Sequence, residues 1–526
     1  MRRVLVIPMV LAFVLAACGG GGNDGDATPS VARGTTTPSA SATATRPEAT
    51  GAAGSPTGGS GAPSATSRPG GTASPATVAT ATSRPATNVS TPRPIATATR
   101  QGGPTATARS NPTATQASDP TATPTVIVVI TPGGDGDVEL LNLGFGQVPD
   151  SEEVGYGFLV RNNSSSTLDF TEYDIVAYDQ SGAPLEDDFG YIDMLLPGET
   201  RGIGGSIYVP EGATVGSVQV QITSGDPTTT DFPQPFTVSN VNYFGEEFFP
   251  TVTAAISSPY NEAVEDLDIN AVLFDDAGNI IGGGYGLVAF VLPGQIAPAD
   301  APVASSTPPA RVEVYVNASS LTEFASDNND ADGQQPTIVQ AGWSMSPDGF
   351  DAGYGILVEN PNSGLVVHYL RFQVTAYDDA GRIVALDASY IAGLFPNERF
   401  GIGGSIYPPE GVVIASMEMQ VLASNFIAAN ISNPLSVSDV AYSDSLFGGA
   451  VTGTVTNNHS AELASIETHA IAFNANGDII GGGWGFADEP APAGGQTTAE
   501  VMISVAETPA SVQLYATVGN LLDVLP

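Results

Sequence analysis

The chain has 526 residues, with 15 arginines and no lysine against 55 Asp and Glu, one cysteine, and 42% hydrophobic residues. Residues 1–125 carry 9 Arg and 4 acids, whereas residues 126–526 carry 6 Arg and 51 acids. An anionic half of this kind repels phosphate, which excludes nucleic acid as an expected partner, and three histidines with one cysteine leave few catalytic groups.

The chain begins with Arg2 and Arg3, then an apolar stretch from Val4 to Ala17. That stretch falls short of the roughly 20 residues a membrane span needs, and it reads as a signal peptide over 1–17. It ends in Leu15-Ala16-Ala17-Cys18-Gly19, which resembles the bacterial lipobox. The resemblance implies lipid attachment (diacylglycerol and palmitate) at Cys18 and cleavage just ahead of it. Localisation follows: the cell membrane, lipid-anchored, facing the extracytoplasmic side. With Cys18 the only cysteine, no internal disulfide or thiolate metal site is available.

Residues 18–131 read as a Thr/Pro/Ala/Ser-rich disordered stalk, because no periodic apolar face is present to offset the entropy of ordering. Its reach lies between roughly 60 Å as a flexible coil and about 330 Å fully extended. The composition suits O-glycosylation, and Asn88-Val89-Ser90 matches an N-glycosylation sequon by chance. A β-prone run, Val126–Ile130, closes the stalk.

Repetition governs the rest. Gly202-Ile203-Gly204-Gly205-Ser206-Ile207-Tyr208 recurs 199 positions later as Gly401 to Tyr407, and Ile280 to Gly286 recurs at the same offset as Ile479 to Gly485. Gly155-Tyr156-Gly157 recurs as Gly353-Tyr354-Gly355. Within each copy a weaker repeat of 96 residues relates Gly182 to Gly278 and Gly381 to Gly477. A fixed offset of this kind marks tandem duplication. The fold class expected is all-β: four antiparallel β-sandwich modules in the order A–B–A′–B′. They span 132–228 (A), 229–323 (B), 336–428 (A′) and 429–526 (B′), with an acidic linker at 324–335. The final strand of each alternates apolar and polar, as in Val218, Val220 and Ile222. Asp179 to Gly182, Asp275 to Gly278, Asp378 to Gly381 and Asn474 to Gly477 read as hairpin turns.

At these turns stand Ala177-Tyr178-Asp179, Leu273-Phe274-Asp275, Ala376-Tyr377-Asp378 and Ala472-Phe473-Asn474, followed by bends such as Pro197-Gly198-Glu199 and Pro293-Gly294-Gln295. The modules thereby resemble FxLYD-type and related immunoglobulin-like domains of exported bacterial proteins. They depart from that pattern where its leading Phe is replaced by Ile175, Ala271, Val374 and Ala470. The resemblance implies an immunoglobulin-like sandwich and export, and it carries no catalytic residues.

Other motifs have bland readings. Asn328-x-Asp330-x-Asp332-Gly333 opens like a calcium loop, but its twelfth position is Val339 where a bidentate Glu is needed, so a solvated linker is expected. Gly282–Gly286 and Gly481–Gly485 do not fit a phosphate cradle and read as glycine-kinked strands or bulges. His368, His459 and His469 lack metal-ligand spacing and read as surface or internally satisfied residues. Trp343 and Trp484 offer faces for a sugar platform, with core packing the expectation. No catalytic, metal or cofactor residue is nominated. The expected function is a non-catalytic surface lipoprotein whose modules meet a cell-envelope polysaccharide or protein, with a carbohydrate- or other ligand-binding receptor as the alternative.

Overall fold

The computed structural model describes residues 79–82, 137–246, 250–327, 331–445 and 448–525. Cys18, the signal peptide, nearly all of the stalk, the 126–130 run, and Asn328 and Asp330 lie outside these residues. Among the described residues the protein is all-β, with multiple antiparallel sheets and a single 3-10 turn at Leu521–Asp523. No described helix is long and apolar enough to cross a membrane.

The strands in chain order are β1 (Ala79–Thr82), then β2 (Val138–Gln147), β3 (Glu153–Asn162), β4 (Thr167–Asp169), β5 (Thr171–Asp179), β6 (Pro184–Ile192), β7 (Thr200–Tyr208), β8 (Val215–Thr223) and β9 (Asp226–Thr228). Next come β10 (Thr237–Phe244), β11 (Thr251–Ser257), β12 (Val264–Phe274), β13 (Ile280–Val291), β14 (Ile296–Ser305) and β15 (Arg311–Phe324). The second half holds β16 (Thr337–Met345), β17 (Ala352–Glu359), β18 (Leu365–Tyr377), β19 (Ile383–Leu394), β20 (Arg399–Ile406) and β21 (Ser416–Ala428). It ends with β22 (Leu435–Ser445), β23 (Gly448–Asn457), β24 (Ile466–Phe473), β25 (Ile479–Phe486), β26 (Gln496–Val505) and β27 (Ser511–Val518).

One pairing order recurs. The orders β2-β3-β7 with β6-β5-β8, and β16-β17-β20 with β19-β18-β21, describe segments A and A′. In B and B′ the same two triplets join into continuous sheets, β10-β11-β14-β13-β12-β15 and β22-β23-β26-β25-β24-β27. The expected turns are present: Gly182, Gly278, Gly381 and Gly477 all take φ between +76° and +83°, the left-handed region glycine tolerates. Each turn is fastened by the side chain ahead of it. Asp179 accepts from the Ser181 and Ala183 amides, and Asp275, Asp378 and Asn474 repeat the pattern. The alternating apolar faces point inward, with Val218, Val220, Met417 and Met419 buried.

A second latch recurs without having been read from the sequence. Asn162, Asn360 and Asn457 end β3, follow β17 and end β23, and all three are fully buried. Asn162 Nδ2 donates to the Ser166 and Leu195 carbonyls at 2.8 and 2.9 Å, and Asn360 and Asn457 reach equivalent carbonyls. Each amide thereby ties two loops together, and its own buried donors are satisfied by their carbonyls.

Three findings differ from expectation. Ala79–Thr82, within the stalk, pairs antiparallel with the edge of β21, Ala79 opposite Met419 and Thr82 opposite Ser416. An open sheet edge accepts any extended chain with free amide groups. The far end of the acidic linker is seated and not free: Ala331 packs on the A′ core, Asn362 Nδ2 donates to the Gln334 carbonyl at 2.8 Å, and Gln335 accepts from the Ala423 amide at 2.8 Å. Finally, Trp343 is buried as expected, but Trp484 is 51% exposed and meets Phe486 edge-on at 5.7 Å on the surface.

Candidate functional site

The repeated glycines prove to be the contact between A and B. The β2-β3-β7 face lies on β12 and β13 so closely that backbone meets backbone, well inside the ~10 Å that ordinary side chains impose between sheets. A methyl group on Gly204 would stand 2.7 Å from both the amide nitrogen and the carbonyl oxygen of Gly284. Gly403 stands in the same relation to Gly483 in the second pair. Gly157 and Gly355 face the carbonyls of Gly282 and Gly481. The expected bulge is present, since the β12–β13 register shifts between Leu273 and Phe274, yet close sheet packing accounts for the glycines more fully.

Beside this contact a polar crevice of about 310 Å³ opens between A and B. Its rim carries the rings of Tyr191 and Tyr285, each about half exposed. Its floor is built from cross-strand neighbours. Asp268 on β12 stands opposite Asn317 on β15, and Asn270 on β12 stands opposite Tyr285 on β13. Tyr285 donates its hydroxyl to Asp268 at 2.8 Å, and the Asn270 carbonyl accepts from the Gly204 amide at 3.2 Å. Tyr156 reaches Asp188 at 3.4 Å. Burial raises the pKa of Tyr156, Tyr173 and Tyr285, so these hydroxyls stay protonated and able to donate. Burial also raises that of Asp268, opposed by the Tyr285 hydrogen bond.

The corresponding place between A′ and B′ is built differently. His469 stands where Asn270 does, buried, with Nδ1 at 3.3 Å from the Gly403 amide and Nε2 at 3.1 Å from Glu467. Of the sequence candidates, His469 is therefore internally satisfied, His368 stacks on Tyr369 at 4.0 Å, and His459 is on the surface. The structure brings none of the three together with another. Among the described residues no group of three or more His, Cys, Asp or Glu is placed to hold a metal.

A wider cleft, about 1050 Å³, lies between B and A′. Phe244, Val384, Phe350 and Tyr407 make its walls apolar, and Asp300 contributes a carboxylate. Asp300 is pushed up to about 6 by burial and by the charge of Asp387, which itself accepts from Tyr354 at 2.6 Å. The two segments are bound around this cleft. Thr253 donates to the Ile383 carbonyl at 2.7 Å, and Arg371 of A′ grips both oxygens of Asp266 of B at 2.6 and 2.7 Å. Glu265, fully buried, lies 3.2 Å from the same guanidinium.

No protein-family model matches this sequence, and no curated protein matches it. Among solved structures the chain is similar to native Escherichia coli alpha-2-macroglobulin at 12% identity, over 73% of this chain and 28% of that one, with a TM-score of 0.13. It is also similar to dimeric latent PorU from Porphyromonas gingivalis (11% identity, 70% and 34% covered, TM-score 0.11) and to a structure named pT26-6p (7%, 56% and 67%, 0.11). The chain thus spans little more than a quarter of the macroglobulin's length, and TM-scores of this size carry no argument.

Proposed function

We propose that this chain is a lipid-anchored bacterial surface protein without catalytic activity. Cys18 carries the lipid, the Thr/Pro-rich segment is a spacer, and four tandem immunoglobulin-like sandwich modules, A–B–A′–B′, are held away from the membrane for binding. The observation that carries this reading is the Leu15-Ala16-Ala17-Cys18 motif standing ahead of a duplicated β-rich half. The recurrence of one strand order in four segments supports the modular part. The test is metabolic labelling with radioactive palmitate followed by membrane fractionation. Label should enter the wild-type chain and be absent from Cys18→Ala, which should leave the membrane fraction. Label in both would refute the anchor.

A second reading, a carbohydrate-binding surface receptor, is favoured by one feature: the tyrosine-rimmed crevice between A and B, whose floor mixes hydrogen-bond donors and acceptors.

A further inference from the structure

The A–B crevice contains a group that its own protein leaves unfinished. Asn317 is only 6% exposed, its Nδ2 donates to the Ala318 carbonyl at 3.3 Å, and its Oδ1 is buried with no hydrogen-bond donor. A buried acceptor without a donor has given up its hydrogen bond to water and received nothing in return, which destabilises the fold. That cost is removed if a ligand supplies the donor. The residue lines the crevice together with Asp188, Asp268 and Asn270, and the rings of Tyr191 and Tyr285 stand at the rim.

We propose that this crevice binds a single neutral pyranose ring of a glycan, its apolar face against Tyr191 or Tyr285 and its hydroxyls donating to Asn317 Oδ1 and the Asp268 carboxylate. The inference rests on the carbohydrate reading above and names its site and ligand. Three observations carry it. A sugar hydroxyl both donates and accepts, and the floor offers both: the carboxylates and Asn317 Oδ1 accept, while Ser206 and the Asn270 Nδ2 amide donate, the Tyr156 and Tyr285 hydroxyls being engaged with Asp188 and Asp268. The rings at the rim are exposed, available to C–H faces without any rearrangement. The volume of about 310 Å³ is at the small end of ligand clefts and suits one ring in place of a long chain.

The duplicated half supplies an internal comparison. Aromatic rings remain at the matching rim positions, Tyr390 and Trp484, both about half exposed. The floor, however, is closed by bonds within the protein. Thr517, in the place of Asn317, donates to the Gly393 carbonyl at 3.1 Å, and His469 is engaged with Gly403 and Glu467. The site is therefore expected once per chain, in A–B.

The test uses the whole mature chain in detergent, with methyl glycosides of neutral hexoses and N-acetylhexosamines as probes and lysine and putrescine alongside. Binding is read by saturation-transfer NMR and titration calorimetry. At least one neutral glycoside should bind at one site per chain. Tyr285→Ala and Asn317→Leu should each weaken it about tenfold or more, the equivalent of about 1.4 kcal/mol. Trp484→Ala and Thr517→Ala should leave it unchanged. Because Asn317→Leu alters a buried residue, the exposed Tyr285 is the decisive position and unchanged melting its control. Undiminished binding in Tyr285→Ala would overturn the site while leaving a carbohydrate function standing. Failure of a folded chain to bind any neutral glycoside, or binding of the amines alone, would overturn both.

Discussion

If the glycines of the A–B contact are there to let two backbones meet, then one methyl group should part the sheets. Gly204→Ala is the direct test. Its new Cβ would lie 2.7 Å from two backbone atoms of Gly284, about 0.7 Å inside ordinary van der Waals contact at 3.4 Å. Closer still is the Ala271 carbonyl oxygen. None of these atoms is the end of a flexible side chain, so relief requires moving a strand. Overpacking of this kind costs about 1–3 kcal/mol. For a cooperative unit the size of the A–B pair, that lowers Tm by about 2–12 °C. Gly403→Ala should reproduce the loss in the second pair, where the distances to Gly483 are the same. Two controls separate crowding from backbone strain. Gly182→Ala has open space but φ of +83°, and should cost about 1–2 kcal/mol without loosening the A–B contact. Gly364→Ala has open space and no such φ, and should be neutral or slightly stabilising. Calorimetry gives the magnitudes, and hydrogen exchange at β7 and β13 reports the sheet contact. Gly204→Ala melting with wild type and keeping β13 protected would refute the account.

Two further outcomes follow from the B–A′ junction. Asp300 has a folded-state pKa near 6 against an ordinary 3.8, so the folded chain holds its proton the more tightly; that stabilisation is full below about 3.8 and lost as pH rises through about 6. Asp300→Asn should therefore stabilise the fold at pH 7, by at most the ~3 kcal/mol that two units represent, raising Tm there and flattening the Tm–pH curve between 4 and 7; unchanged curvature would refute it. Arg371→Ala, which strips Asp266 of its bidentate partner and leaves Glu265 buried beside nothing cationic, should cost about 3–5 kcal/mol and expose residues 325–335 to protease, with Arg371→Lys a poor rescue. Cleavage there at the same rate in wild type and variant would show that the junction is not held by this pair.

The all-β class, the hairpin turns and the inward faces were legible because each rests on local chemistry. A glycine after Asp-x-x states its φ directly, and Val218, Val220 and Ile222 state their face by alternation. What the repeated glycines do was not legible. Ile280–Gly286 and Gly202–Tyr208 recur together, but nothing in either string says that one lies on the other, because packing between sheets leaves no mark in strand periodicity. Trp484 was misread for a related reason. Its partner position holds Tyr285, and both stand on the outer face of a strand whose inner face is glycine, so bulk is tolerated only outward. The buried Asn162, Asn360 and Asn457 left a signal that could have been found: each follows an apolar strand at the position where a loop begins, in three of the four segments. Asn317 left none, since its importance lies in a donor that is missing.

The two halves share their close contact and differ at the crevice beside it, and that contrast separates the requirements of folding from those of binding. The backbone-to-backbone seam tolerates no side chain, so glycine recurs at 204 and 403 and at 283 and 482 in the two halves. The crevice beside it is under no such constraint. There Asn270 has the counterpart His469, Asp268 has Glu467 and Asn317 has Thr517; the first two pairs are bonded to the protein in both halves, and the third replaces an acceptor without a donor by a hydroxyl tied to the Gly393 carbonyl. Loss of function in one copy would relax every position at once, whereas here each substitute is bonded within the protein: His469 to Glu467 and Gly403, and Thr517 to the Gly393 carbonyl. Satisfied groups stabilise the A′–B′ contact, while the A–B contact retains an acceptor that only an incoming donor can complete. On this argument the second pair is the sturdier support, and the proposed ligand site belongs to the first.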